Sequence, residues 1–91
     1  MSKGMYRVVA IAKEVGLDVI LPEPDVSGIL WVEDHVQDLG VATVRVSRRG
    51  AVTGGHGWTP NRQLVHFKGS HKDEQVCELL QRYDQKLKEA I

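Results

Sequence analysis

VATVRVSRRGAVT, residues 41–53, decides the fold. Ala42, Val44 and Val46 alternate along it with Thr43, Arg45 and Ser47. Successive side chains of a strand point to opposite faces, so this segment predicts a half-buried strand with one apolar side. SRRG then supplies a turn, in which Gly50 is free to take a positive φ, and AVT begins the return strand. Further on, QLVHF (63–67) is another short β-prone run. Residues 41–67 therefore predict an antiparallel hairpin or three-strand meander. TGGHGWTPNR (53–62) is expected to be its long loop, with Trp58 at the tip.

Working outward toward the C-terminus, Val76, Leu80, Tyr83, Leu87 and Ile91 recur at helical spacing, and Leu79 widens their stripe. Ser70 stands three residues before Asp73, the spacing of a capping box that satisfies free amides at a helix start. Together these features predict an amphipathic helix over about 71–90. Toward the N-terminus, ILWV (29–32) reads as a strand from its β-branched and aromatic content. Ile29, Val32, Val36 and Leu39 also fit one helix face, so residues 28–39 stay open between the two. Residues 5–15 are open in the same way: either a helix stopped at Gly16 and followed by a strand, Leu17–Leu21, or a strand from the outset. Trp31, between Leu30 and Val32, is expected in the core, and the prolines of LPEPD (21–25) mark a turn or linker. The fold class that results is α+β, a small, mainly antiparallel sheet of three to five strands with the C-terminal amphipathic helix packed on one face. Residues 1–91 are expected to form a single domain.

Charge is segregated along the chain, although twelve basic and twelve acidic residues cancel. Residues 14–38 hold Glu14, Asp18, Glu23, Asp25, Glu33, Asp34 and Asp38 and no base, whereas 39–72 hold Arg45, Arg48, Arg49, Arg62, Lys68 and Lys72 and no acid. Such asymmetry points to charged partners more than the net charge does. The basic hairpin region, 41–68, is the candidate nucleic-acid surface: Arg45, Arg48, Arg49, Arg62 and Lys68 would contact phosphates and Trp58 would stack on an unpaired base. Phosphate contacts do not distinguish DNA from RNA. The leading reading is a small, non-enzymatic regulatory or accessory protein that binds nucleic acid. The alternatives are a protein–protein module, either a homodimer or an inhibitor of a partner protein using its acidic and basic faces, and a small ribonuclease. The same charge pattern also fits a solvated surface, or acidic segment 14–38 pairing with the basic one.

Specific motifs are few. The glycines of 53–62 lack the lysine and the following helix of a phosphate-cradling loop. His35, His56, His66, His71 and Cys77 show no metal-ligand spacing, so neither a metal nor a cofactor is expected. With one cysteine and no apolar run longer than Val8–Ala12, the expectation is a cytoplasmic chain without a membrane segment or intrachain disulfide. His56, His66 or His71 beside an arginine supplies the residue types for a ribonuclease. Over fifteen residues, Gly57, Trp58, Arg62, Gly69, Ser70 and His71 resemble the pattern of the HicA-type messenger-RNA-cleaving toxins. The Arg62–Gly69 spacing is longer than in that family, and His71 enters a helix where the family continues into a strand. The fold expectation does not rest on this resemblance.

Overall fold

The computed structural model describes residues 4–23 and 27–84. In chain order these form α1 (Gly4–Glu14), β1 (Asp18–Ile20), β2 (Gly28–Asp34), β3 (Leu39–Val46), β4 (Val52–Trp58), β5 (Leu64–His66) and α2 (Lys72–Gln81). The strands make one antiparallel sheet in sequential order, β1-β2-β3-β4-β5, each paired with the next. A C-terminal helix packed against a small antiparallel sheet is thus observed, and α1 lies beside it.

The alternation in β2 and β3 sets the two faces. Leu30, Val32, Ala42, Val44 and Val46 are buried and form the sheet's inner face. Val8, Ala12 and Val15 of the α1 region and Val76, Leu79 and Leu80 of α2 close over them in one core. Helix, not strand, is the outcome for residues 5–15. Gly16, at φ 86°, stops it. The Leu17 amide donates to Ala12 O and the Gly16 amide to Lys13 O, the paired bonds of a Schellman ending. Residues 28–34 are strand, and the helical alternative for 28–39 falls with them. Val36, which that alternative would have placed on an apolar face, is exposed beyond the end of β2.

Three expectations are corrected. Residues 53–62 are not a long loop: β4 runs to Trp58 and only 59–63 connect it to β5. Its glycines are there because neighbours approach closely. A Cβ on Gly57 would lie 2.6 Å from Leu79 Cδ2, and one on Gly55, whose φ is 133°, would lie 2.2 Å from Thr43 O. The capping box is absent, since the residue preceding α2 is His71, left-handed at φ 59° and making no side-chain cap bond. Gln75 holds this approach instead, its amide donating to Lys68 O and Ser70 O and its carbonyl accepting from the Lys68 amide. Helix α2 also stops at Gln81 and does not continue through 82–84. The Arg82, Tyr83 and Asp84 amides bond three residues back, tightening the chain into a turn. The remainder of the expected helix, including Leu87 and Ile91, lies outside the described residues.

Candidate nucleic-acid interface

Both helices lie on the inner face of the sheet, and among the described residues no element covers the outer one. One row of side chains crosses all five strands there. Ile20 pairs with Trp31, Trp31 with Thr43, Thr43 with His56 and His56 with His66. Trp31 is therefore not a core residue. Leu30 and Val32 turn inward, the strand period turns Trp31 outward, and its Nε1 donates to Glu33 Oε2 at 3.1 Å. Thr43, on the side of β3 opposite Ala42 and Val44, sits at the middle of the row.

A second line of groups runs along β4. Arg45 crosses from β3 and lays its guanidinium over Gly54, where a Cβ would meet Nη2 at 2.6 Å. His56 follows, then Trp58; its indole meets the His56 ring edge-on with centroids 5.2 Å apart. Arg62 finishes the line, its Cζ 5.5 Å from the Trp58 ring centroid and its Nη1 donating to Gly40 O at 3.0 Å. Arg62 is held there by a left-handed backbone, φ 66°. Gly40 floors the space between the two indoles, since its missing Cβ would touch both Trp31 and Trp58. His66 stands beside His56 on β5, with ring centroids 6.3 Å apart and planes inclined by 55°.

Trp58 is anchored from behind. The Tyr83 hydroxyl donates to its carbonyl oxygen. Burial raises the Tyr83 pKa above its ordinary value; Arg62 opposes this through its charge and a hydrogen bond, and Asp34 adds to it. The phenol thus stays protonated and able to donate at neutral pH.

Of the six expected nucleic-acid contacts, the structure groups Arg45, Trp58 and Arg62. Among the described residues, Arg48, Arg49 and Lys68 make no hydrogen bond, ion pair or ring contact with these three. Arg48 and Arg49 are exposed in the β3–β4 turn, at the opposite end of β4 from Trp58. Trp58 is not at a loop tip but at a strand end, because 53–58 is sheet. Lys68 follows β5, which returns toward the turn, and is exposed. No ion pair joins acidic segment 14–38 to the basic one among the described residues. Arg7 pairs with Asp73 and reaches Glu74, and His35 Nδ1 lies 2.8 Å from Asp18 Oδ2. Carboxylates therefore sit at the β1–β2 side of the outer face and the arginines at its β3–β4 side.

Other candidate chemistry stays apart. His71 is at the start of α2, whereas His56 and His66 pair across β4 and β5, with Thr43 opposite His56 on β3 and the Trp58 ring against His56. Cys77 is buried; burial raises its thiol pKa, Arg7 works against the rise, and Asp73 and Glu74 add to it. Such a thiol is a poor nucleophile. No cluster of three or more His, Cys, Asp or Glu side chains suited to a metal occurs among the described residues. No described helix is long and apolar enough to cross a membrane. Comparison of the chain with protein-family models, curated proteins and solved structures gave no match in any of the three.

Proposed function

We propose that the protein binds single-stranded nucleic acid on the outer face of its sheet. The observation that carries this reading is the uncovered strip in which Arg45, His56, Trp58 and Arg62 follow one another along β4, with Trp31 across Gly40. Alternate strand positions are about 6.6–6.8 Å apart, so successive groups meet successive parts of an extended chain. An indole offers a stacking surface to any base, and a guanidinium offers a planar fork to phosphate. A duplex hides its base faces, so an indole strip favours unpaired strands. Arg48 and Arg49 extend the cationic track beyond the turn and act as outlying phosphate contacts. The role is regulatory or accessory, in the cytoplasm, where a free buried thiol stays reduced.

A competing occupant of this face is protein, either a second copy or another partner. Ile20, Ile29 and Leu64 favour it, each more than half exposed on the outer side. Labelled single-stranded RNA, single-stranded DNA and duplex DNA titrated across a salt series, with light scattering on the same samples, separate the two readings. Salt-sensitive binding of the single strands by a monomer supports the first. A stable dimer that binds no oligonucleotide at low salt supports the second.

A further inference from the structure

The His56–His66 pair points to an activity beyond binding. We propose that the outer face cleaves the single-stranded RNA it holds, by metal-independent transesterification with His56 and His66 as the acid–base pair. This rests on the nucleic-acid reading above, since the strip along β4 must first place the substrate.

The two imidazoles come from adjacent strands directly opposite one another, and their centroids are 6.3 Å apart. At that separation each can reach a different oxygen of one phosphodiester by a hydrogen bond of about 2.6–3.2 Å. Imidazole is the side chain suited to both taking and giving a proton near neutral pH. The pair lies between the Arg45 guanidinium over Gly54 and the Trp58 indole. A strand that runs 5′ to 3′ from Trp58 toward Arg45, with a base stacked on Trp58, puts that nucleotide's ribose and 3′-phosphate over the histidines, where Arg45 meets the phosphate oxygens. Thr43, paired with His56, adds a hydroxyl donor at the same place.

The step balances without a co-reactant. One imidazole takes the proton of the ribose 2′-hydroxyl, and the 2′-oxygen forms a bond to phosphorus. The bond from phosphorus to the 5′-oxygen of the next nucleotide breaks, and that oxygen receives a proton from the other, protonated imidazole. The products are a 2′,3′-cyclic phosphate and a free 5′-hydroxyl. Negative charge that develops on the non-bridging oxygens is met by Arg45, where fixed donors lower the barrier. DNA, which lacks the 2′-hydroxyl, is bound and not cut.

The test uses the full chain with a labelled single-stranded oligoribonucleotide and its 2′-deoxy counterpart, both with chelator present. Cleavage, end chemistry and binding are all read. RNA is expected to be cut to cyclic-phosphate ends and the deoxy strand to be bound intact. His56→Ala and His66→Ala should each lower the single-turnover rate at saturating RNA by about 10²–10⁴-fold, so that any weakening of binding is read separately. Their pH–rate profiles should each lose one limb of the parent's bell. Both histidines lie on the outer face, away from the core, and an unchanged unfolding midpoint checks that each variant is folded. RNA bound but left intact overturns the cleavage proposal alone. Cleavage that persists in the double variant, or that leaves no cyclic phosphate, overturns it as well. Failure to bind either strand at low salt overturns both this proposal and the binding on which it rests.

Discussion

On β4, a side chain larger than hydrogen would meet a different neighbour at each of three glycines. At Gly54 the neighbour is the tip of Arg45, which can swing away, so Gly54→Ala should leave stability within about 0.5 kcal/mol of the parent. At Gly57 it is Leu79 and the Val41 carbonyl, and the alanine should cost about 1–3 kcal/mol through overpacking. Gly55 combines backbone contact with a φ of 133°, so Gly55→Ala should be the worst of the three. Urea midpoints at constant m-value give the order, and a Gly54 variant as damaged as Gly57 would contradict it. Asp34 sets a second test at the end of β2. The residue is 2 % exposed, Oδ1 accepts from the Val36 and Gln37 amides, and Oδ2 is buried with no hydrogen-bond partner among the described residues. Asp34→Asn keeps an oxygen that accepts from both amides, so it should be tolerated better than Asp34→Ala. The alanine strands two amides, at about 1–3 kcal/mol; equal midpoints for the two variants would remove the turn role.

Where α2 ends matters for the outer face, because Tyr83 ties the turn after it to the Trp58 carbonyl. The raised phenol pKa fixes the sign of the pH effect. The folded state holds this proton more tightly than the unfolded chain does. Its contribution is therefore fully present below the unfolded value, about 10, and is lost as pH rises through the folded one. Unfolding midpoints should fall above about pH 10 in the parent, and Tyr83→Phe should flatten that fall while lowering neutral-pH stability by about 1 kcal/mol. An identical alkaline slope in both proteins would contradict the assignment. The alternation of 42–47 and the stripe of Val76, Leu79 and Leu80 were legible in the sequence because periodicity survives without tertiary information. The strand in TGGHGW was not, since three glycines read locally as slack; their reason is Leu79, Thr43 and Arg45, all distant in sequence. Trp31 was legible in principle, as strand alternation with Leu30 and Val32 turns it outward, but its size argued for the core. The His56–His66 pair depended on the β4–β5 register, and short connections do not reveal register before the strand ends are known.

Taken together, the chain places two helices on one side of a five-stranded sheet and leaves on the other side the indoles, imidazoles and guanidiniums to which the proposal assigns base and phosphate contacts. Charge neutrality does not oppose this, since the arginines gather on the β3–β4 side while Glu33 and Asp18 sit toward the β1 edge. Binding should therefore depend on local charge and weaken with salt. Arg45→Ala with Arg62→Ala should lower affinity more than Arg48→Ala with Arg49→Ala, because only the first pair flanks the indoles. Trp31 and Trp58 are the chain's two tryptophans, and both lie on the outer face. Intrinsic fluorescence thus reports directly on the surface in question. The decisive measurement is indole emission during titration with an unlabelled single-stranded oligoribonucleotide at low salt, alongside Trp58→Ala and an anisotropy readout of binding. Saturable quenching that salt reverses, with affinity falling by about 1–3 kcal/mol in the variant, is the expected result. Binding seen by anisotropy with indole emission unchanged, or no binding at all, would contradict the assignment of the outer face.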